Sequence, residues 1–494
     1  MKWLKGVPFT ALVMAQSLIA PGKSFAFGIE AALAKLGVDV STIPQLRGNP
    51  KENGPQNAGE VKPACIFVPP ADTDVSVAVL LCQLTGCPFA AKSGGHAAFA
   101  GASNSDGGIT ILFRKLNEVS LNEDKSVASI GPGHNWGEVY KALEPHGVTV
   151  IGGRLSDIGV GGLITGGGIS YYSNLYGWAL DNVESFEVIN GDILTASATQ
   201  HPDLYWALRG GGNNFGLVTK FNLRTIPTSL LWGGTHVYSE DQFSNVLSAF
   251  IDVAEKAYVD RNAQQYVMFA SMQGMKIASA ELTYVQNVSN PAIFEKYLAL
   301  PAISATTSTR TLAEYCDGLA AQDPYGMRDV FWNRSFKMDE EFANWVVDYW
   351  FSVLPQISKL PGAMLGLTFQ AITEPILEKM SQNGGNALGL DTAGGPILLM
   401  HILGMWNDTA VDEAIYTFID DFFNTVVEEA KSRDLNNDFI YMNYGSHVQD
   451  VIASYGAENK ARLQEIAAKY DPNAVYQTLQ PGYFKLDHAP ASSQ

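Results

Sequence analysis

The sequence is poor in basic residues. Its 494 residues include 32 lysines and arginines against 50 aspartates and glutamates, a formal net charge of −18. An acidic surplus repels polyanions, which argues against nucleic acid or acidic membrane surfaces as partners. The hydrophobic fraction of 46% still allows a large buried core, and the length predicts two or three domains.

Long apolar runs and cysteines are also scarce. After the N-terminal segment no apolar run reaches about 18 residues, the length that indicates a membrane-spanning helix, so we expect no membrane association. The four cysteines permit up to two disulfides in an oxidising compartment, with three possible connectivities. Cys82 and Cys87 lack a second close pair of cysteine or histidine, which makes a zinc site the poorer interpretation.

The first residues have the charge order and length of a secretory signal peptide. Lys2 and Lys5 precede an apolar run over residues 7–20, and Ser24-Phe25-Ala26 offers the small residues that signal peptidase recognises. We therefore expect residues 1–26 to be removed and the protein to be secreted or to enter the secretory pathway. Possible glycosylation sites follow at three sequons: Asn287, Asn333 and Asn407.

The apolar pattern changes near residue 230. Over residues 27–229, short apolar strands alternate with helices and glycine-rich loops, which predicts an α+β domain. Over residues 230–430 the glycine density falls, and long amphipathic helices alternate with strands. This second pattern predicts one sheet with helices on one face and the other face free to cover a ligand. Residues 431–494 contain a further helix and are expected to return to the first domain.

The first domain contains four glycine-rich stretches, at residues 93–96, 131–133, 159–168 and 210–216. Glycines bring backbone N–H groups close to a bound anion and tolerate positive φ, so a dinucleotide pyrophosphate is a natural ligand. A tight turn between strands is the alternative for any single loop. The G-x-G-x-x-G fingerprint, a complete Walker loop and G-x-S-x-G are all absent. The loops therefore require a different nucleotide-binding fold.

Further motifs accompany these loops in a fixed order. They are Lys92-Ser93-Gly94-Gly95-His96, Gly131-Pro132-Gly133, Asp203 through Gly216, and Tyr441-Met442-Asn443-Tyr444. Together with the 159–168 stretch, they resemble the berberine-bridge-enzyme-like branch of the vanillyl-alcohol-oxidase flavoproteins. The resemblance covers nearly the whole mature chain, and the motifs together are far more specific than any one glycine loop.

The resemblance implies an α+β fold with a PCMH-type FAD-binding domain of two α+β subdomains. A substrate domain would cover the flavin ring with an antiparallel sheet backed by helices. The loop that ends at His96 would wrap the FAD pyrophosphate, and His96 would carry an 8α bond to the flavin. Many relatives form a second bond from a cysteine at the position of Leu155, so we expect a single covalent link. The implied cofactor contacts are Ser93, Gly94, Gly95, His96, Ile158, Gly159, Gly161, Gly162, Gly166, Gly167 and Asn443.

In this family the Tyr-x-Asn-Tyr segment lies beside the flavin, which makes Tyr444 the candidate catalytic base and Asn443 a polar contact. Free tyrosine has a pKa of about 10, so such a base needs a polarising neighbour near neutral pH. Packing of Tyr441 and Tyr444 on the ring is the alternative. The second tyrosine of some relatives is Ile169 here, so a two-tyrosine mechanism is not carried over. Further polar candidates are Tyr171, His401 and His447.

The expected function is oxidation of a small organic substrate, a secondary-metabolite alcohol, phenol or amine, with O2 as acceptor. The alternatives are a dehydrogenase with another acceptor, a flavin-dependent cyclase, or a protein in which FAD is only structural. Leu155 makes a carbohydrate oxidase a weaker interpretation. The resemblance places Ile158 where O2 must approach the flavin, and a bulky residue there tends to accompany slow reaction with oxygen. The sequence specifies neither the substrate nor the oligomeric state.

Overall fold

The computed structural model describes residues 60–322, 326–360 and 362–490. The expected signal peptide, residues 1–26, and the start of the first predicted domain lie outside these residues. Cleavage, secretion and the domain boundaries therefore stay predictions. Within the described ranges, every helix is too short or too polar to cross a membrane.

A small parallel sheet begins the described chain. Its three strands are β1 (Cys65–Phe67), β2 (Phe89–Lys92) and β3 (Ile109–Leu112), in the order β1-β3-β2. Helix α1 (Asp72–Thr85) connects β1 to β2 and ends at Gly86, whose φ of 68° is the left-handed conformation that glycine adopts at helix ends. Every residue of β3 is buried, as expected for the central strand of a parallel sheet covered on both faces.

An antiparallel sheet of six strands follows. Its strands are β4 (Val119–Leu121), β5 (Val127–Ile130), β6 (Val148–Val150), β7 (Val183–Ile189), β8 (Ile193–Ser197) and β9 (Leu217–Pro227). Strand β9 is central because it pairs with β5, β6 and β7. The connecting helices are α2 (Trp136–Leu143), α3 (Val160–Gly166), α4 (Ser173–Tyr176) and α5 (Pro202–Leu208). The two sheets with their connecting helices confirm the predicted α+β fold.

The next part of the chain forms one antiparallel sheet of nine strands. The strands are β10 (Leu231–Ser239), β11 (Ala263–Met272), β12 (Met275–Tyr284), β13 (Ser304–Ala305), β14 (Ser308–Arg310), β15 (Arg328–Lys337), β16 (Met364–Ile372), β17 (Ile397–Trp406) and β18 (Asn436–Asn437). Their order is β13-β10-β12-β11-β16-β17-β15-β18, and β14 also pairs with β10. The helices of this part are α6 (Phe243–Lys256), α7 (Glu295–Leu298), α8 (Leu312–Ala320), α9 (Glu340–Val353), α10 (Glu374–Met380) and α11 (Asp412–Ser432).

The two faces of the nine-stranded sheet differ. Phe269, Leu367 and Phe369 are fully buried in a core to which α6, α9 and α11 contribute apolar side chains. Successive side chains of a strand point to opposite faces, so Met268 and Gln370 lie on the other face, where they border a cavity. We call this second surface the open face. Among its cavity-lining residues are Tyr266, Met268, Ser279, Glu281, Thr368, Gln370, His401 and Leu403.

The C-terminal segment packs against the first two sheets. It contains helix α12 (Ala457–Tyr470) and the short helix α13 (Val475–Thr478). The Tyr470 hydroxyl donates to Asp203 at 2.7 Å, and the backbone N–H of Phe89 in β2 donates to the Leu479 carbonyl at 2.7 Å. These contacts bring the end of the described chain next to its beginning.

All four cysteines are buried. Cys65, Cys82 and Cys87 share one core with β1 and α1, whereas Cys316 belongs to a separate core. A disulfide needs Cα atoms within about 7 Å of each other. Of the pairings that the sequence permits, those with Cys316 would therefore require the backbone to move.

Asn333 cannot serve as a glycosylation site in this fold. It is fully buried on β15, and its side-chain amide hydrogen-bonds both the carbonyl and the N–H of Tyr441. The expectation for this sequon is therefore wrong, because a tripeptide motif carries no information about burial. Asn287 and Asn407 are exposed and stay possible sites.

Replacing Leu367 by alanine should destabilise the protein more than the same change at Leu403. Leu367 is fully buried in the helix-covered core, and truncation of such a leucine costs about 2–5 kcal/mol. Leu403 lies on the open face and borders the cavity, so its truncation removes fewer packing contacts. Urea unfolding of both variants measures the two losses of unfolding free energy. Equal losses would contradict the difference between the faces.

Candidate active site

Three glycine-rich loops meet at the Ser93 hydroxyl. It donates a hydrogen bond to the Pro132 carbonyl at 2.6 Å and accepts one from the N–H of Gly161 at 3.1 Å. A Cβ atom on Gly94 would lie 2.5 Å from the backbone nitrogen of Gly159, closer than real contacts allow. The loops at 93–96 and 159–168 can therefore touch only because a glycine stands at the point of contact.

These loops form one wall of a cavity of about 620 Å³, and the open face supplies further lining side chains. The volume falls within the range of about 300–1,000 Å³ typical of ligand sites. The structure brings most of the predicted site residues to this cavity. Those that line it are Ser93, Gly94, Gly95, His96, Ile158, Gly159, Gly161, Gly162, Asn443 and Tyr444.

Gly166 and Gly167 are not brought to the cavity surface but pack behind it. A Cβ atom on Gly166 would lie 2.1 Å from Oδ1 of Asn443, and one on Gly167 would lie 2.6 Å from the Tyr441 ring. The missing side chains let the segment 441–444 approach α3. Nδ2 of Asn443 donates to the Leu163 carbonyl and to the Tyr441 hydroxyl, each at 3.0 Å, which fixes Asn443 at the cavity wall.

His96 lines the cavity and is half-buried. Its imidazole makes no hydrogen bond with any other residue that the structure describes, so its ring nitrogens are available to a ligand. Leu155, at the position where relatives carry cysteine, also lines the cavity. Among the described residues that line this cavity there is no thiol.

Asn333 positions the segment that carries Tyr444. Its side chain donates to the Tyr441 carbonyl at 3.0 Å and accepts from the Tyr441 N–H at 2.9 Å. The Tyr441 hydroxyl in turn accepts from the backbone N–H groups of Gly168 at 3.0 Å and Ile169 at 3.2 Å. The backbone and the hydroxyl of Tyr441 thus connect β15 to the loop after α3.

Tyr444 lies where the cavity meets the open face. Its hydroxyl oxygen accepts hydrogen bonds from Nη2 of Arg154 at 2.7 Å and from Nε2 of Gln370 at 3.3 Å. Its ring stacks on Phe331, with centroids 5.5 Å apart and planes at 11°, and its centroid lies 4.5 Å from that of His401. The phenol oxygen of Tyr444 therefore receives two hydrogen bonds, and one of them comes from a cationic donor.

Arg154 is not among the residues predicted from the sequence, although it lies only four residues before Ile158, where the expected cofactor contacts of this loop begin. Nη2 also donates to Oε1 of Gln370 at 2.9 Å, and the guanidinium carbon lies 5.1 Å from the centre of the Tyr266 ring. Burial opposes the charge of Arg154, but the neighbouring phenols of Tyr444 and Tyr171 raise its pKa above the ordinary value. Arg154 therefore stays cationic. The sequence feature that could have pointed to Arg154 is a lone arginine close to a glycine-rich loop.

A row of polar residues crosses the open face. Tyr266 is paired with Glu281 on one neighbouring strand and with Gln370 on the other. Glu281 is buried and accepts hydrogen bonds from the hydroxyls of Thr235, at 2.5 Å, and of Tyr315. Burial raises the pKa of this carboxyl. Each of these residues is a single polar position in its strand, so only the strand pairing shows that they belong together.

The remaining sequence candidates have different surroundings. Burial, and then the charge of Arg154, lower the pKa of His401 to about 3, so its imidazole is neutral near pH 7. The Tyr171 hydroxyl is buried and donates to the Arg154 carbonyl at 3.3 Å. His447 does not line the cavity, and its ring packs edge-on against Tyr416. Of these residues, only His401 presents a polar atom without a partner at the cavity.

The cavity fits FAD. A Cβ atom on Gly162 would meet no other atom within 4 Å, so the loop backbone is open to a ligand. Buried polar atoms around the cavity lack a hydrogen-bond partner in the structure, among them Ser103 Oγ, Gln480 Oε1 and His401 Nδ1. Such groups are costly unless a polar ligand or water satisfies them. Open glycine backbone, unpaired polar atoms and an available imidazole form a suitable set of contacts for a dinucleotide.

Comparison with known proteins identifies the family. Residues 63–196 match the family model of an FAD binding domain. The chain is 36% identical over 448 residues to the FAD-dependent monooxygenase FUP4 of Fusarium proliferatum, covering 87% of this chain and 86% of that protein. It is 34% identical over 450 residues to the FAD-dependent monooxygenase tpcD of Cochliobolus heterostrophus, covering 87% and 86%.

A solved structure shares the fold. The glucooligosaccharide oxidase of Acremonium strictum superposes with a TM-score of 0.74 at 20% sequence identity, over 93% of this chain and 98% of that one. The sequence relatives, the matched domain and the shared fold agree. The chain belongs to the family of FAD-dependent oxidoreductases that includes FUP4 and tpcD, and residues 63–196 form its FAD-binding domain.

Proposed function

We propose that this oxidoreductase is an oxidase of secondary metabolism that takes a hydride from a small alcohol, phenol or amine and delivers the electrons to O2. The observation that carries the proposal is the Tyr444 hydroxyl, which lies at the cavity and accepts a hydrogen bond from Arg154 at 2.7 Å. Oxidation of an O–H or N–H compound releases a proton together with the hydride, so the site needs a group placed to accept that proton.

When bound, FAD supplies the hydride acceptor. Tyr444 accepts the substrate proton at its phenol oxygen. Tyr444 must react as the phenolate to take up this proton, and Arg154 and Gln370 both donate hydrogen bonds to the reacting oxygen. The Phe331 ring, stacked on Tyr444, holds the plane of the phenol, and the neutral imidazole of His401 adds no second positive charge. Arg154 is thus the cationic neighbour of the candidate base.

A single bond through His96 attaches FAD in this proposal. The His96 imidazole lines the cavity, and an imidazole nitrogen held beside the flavin methyl carbon is a competent nucleophile. The glucooligosaccharide oxidase is described as carrying 6-S-cysteinyl, 8α-N1-histidyl FAD. Leu155 supplies no thiol for a second bond here, which also argues against a carbohydrate substrate.

Monooxygenation is the second candidate, because FUP4 and tpcD are named FAD-dependent monooxygenases. A monooxygenase places one oxygen atom of O2 in its product and needs electrons from an additional reductant, whereas an oxidase takes both electrons from the substrate. The sequence has no G-x-G-x-x-G fingerprint for a nicotinamide dinucleotide, which favours the oxidase. A dehydrogenase shares the first half-reaction and differs only in the electron acceptor.

Separate measurement of flavin reduction and flavin reoxidation distinguishes an oxidase from a monooxygenase and a dehydrogenase. Metabolites that accumulate when the gene is deleted should bleach the yellow holoprotein without oxygen, whereas NADPH alone should not. Readmitted O2 should then restore the colour and release hydrogen peroxide, which a peroxidase-coupled assay measures. Bleaching by NADPH alone favours the monooxygenase. Recovery of the colour only with an artificial acceptor indicates a dehydrogenase.

A variant at Ile158 refines the same experiment. Ile158 lines the cavity, and Ile158→Val removes one methylene from a close-packed wall that O2 must cross. We expect faster reoxidation by O2 in stopped flow and unchanged bleaching by substrate. If the wild type already reoxidises rapidly and the valine variant is no faster, Ile158 does not hinder oxygen and the oxidase assignment is strengthened.

Acid-precipitated protein should stay yellow, because a covalent bond survives the loss of the pyrophosphate contacts. His96→Ala should release the flavin into the supernatant, where its absorbance is measured. His134→Ala is the matched control, since His134 lies in the neighbouring glycine loop and pairs with Glu138 at 3.1 Å. A colourless wild-type precipitate would disprove the covalent link.

Tyr444→Phe should slow flavin reduction by about 10²- to 10⁴-fold, the usual contribution of general acid–base catalysis. Substrate affinity should change much less. Tyr266→Phe is the control, because it removes another phenol from the same cavity wall. Anaerobic stopped flow measures the rates. An unchanged rate in Tyr444→Phe would make Tyr444 a packing residue.

A further inference from the structure

Two of the three nitrogen atoms of the Arg154 guanidinium make no hydrogen bond with the described residues. Its Nη2 atom makes both of the hydrogen bonds described above, to Gln370 at 2.9 Å and Tyr444 at 2.7 Å. Nε and Nη1 make none with the residues that the structure describes, and Arg154 lines the cavity. The Tyr266 ring lies 5.1 Å from the guanidinium carbon, which restricts the orientation of the group. An ordered edge of N–H donors therefore borders the cavity.

This edge has no carboxylate in direct contact with it among the described residues, although Glu281 and the surrounding phenols interact with its charge at longer range. No described aspartate or glutamate forms an ion pair with Arg154. Glu281 is the single carboxyl group among the described residues that line the cavity, and the hydroxyls of Thr235 and Tyr315 already bind it. The His401 imidazole is neutral. A cation removed from water is costly without an anionic partner.

We propose that the open edge of Arg154 binds an anionic oxygen of the substrate, so that the substrate is an acidic organic molecule. This inference rests on the proposed function, because it assigns the substrate class of the same site. The planar guanidinium matches two acceptor atoms at once, which makes a carboxylate, enolate or similar oxyanion its natural partner.

The residues around Arg154 indicate what the rest of the substrate is like. Met268, Phe331 and Leu403 present apolar surface to the cavity, so they suit a largely hydrocarbon body. Tyr444 and the substrate anion share one guanidinium, which places the anion within reach of the Tyr444 hydroxyl. The substrate is thus an apolar molecule with one acidic oxygen group, and the group that loses its proton lies close to that oxygen.

Equilibrium binding to the holoprotein tests this inference without turnover. Formate, acetate, sorbate and benzoate are each titrated beside the corresponding amide, at constant ionic strength, with flavin difference absorbance as the signal. The size series ensures that at least one carboxylate fits the space. We expect one or more carboxylates to bind at least about tenfold more tightly than the amide, a difference of about 1.4 kcal/mol.

Variants assign the preference to Arg154. Arg154→Gln should abolish it, and Arg154→Lys, which keeps the charge but not the planar fork, should retain part of it. Arg310→Gln is the matched control, because Arg310 lies over the Tyr315 ring and bonds to the Gly233 carbonyl, outside the cavity lining. That variant should keep the full preference. The flavin absorbance of each variant reports whether it has folded and loaded.

Two results would overturn the inference. One is equal binding of every carboxylate and its amide by the wild type. The other is a preference for carboxylate over amide that persists in Arg154→Gln, or that is undiminished in Arg154→Lys. Neither result depends on catalysis, so a protein that prefers carboxylates but is never bleached by a metabolite would refute the proposed oxidation and leave the anion site intact.

Discussion

The hydrogen bonds of Arg154 connect three parts of the chain that are far apart in sequence. The arginine precedes the glycine loop at 159–168, Gln370 belongs to β16 of the large sheet, and Tyr444 belongs to the C-terminal segment. A buried cation tolerates few arrangements, because each donor must find an acceptor or a charge. The position of the candidate base relative to the cofactor loops and the open face therefore depends on this one side chain.

Close backbone packing makes this arrangement possible. Gly94 lets two cofactor loops touch, and Gly166 leaves room for the Asn443 side chain. Asn333 then fixes the backbone of Tyr441 from the opposite side. Protein interiors are packed as densely as organic crystals, so an added side chain at these positions would displace the segment that carries Tyr444. Close packing thus holds the glycine-rich loops, the large sheet and the C-terminal segment in fixed positions relative to one another.

The α+β fold and the loops that line one side of the cavity could be predicted, because glycine loops such as 93–96 carry their signal in consecutive residues. The polar residues of the open face could not be predicted. Glu281 and Gln370 are isolated polar residues on different strands, and only the register of β12, β11 and β16 places them on either side of Tyr266. Arg154 was missed for a related reason, since its importance comes from partners far away in the sequence. The sequon at Asn333 misled because burial is a tertiary property.

The cavity takes its walls from both ends of the described chain, from Ala91 to Tyr483. A ribosome adds about 5–20 residues per second, and domains near the N terminus usually fold first. The glycine loops are therefore synthesised well before the segment that completes the pocket around them. During this interval the loops have neither the Tyr444 segment nor the tail against which they pack. Stable capture of the flavin thus belongs to the finished polypeptide and not to the nascent one.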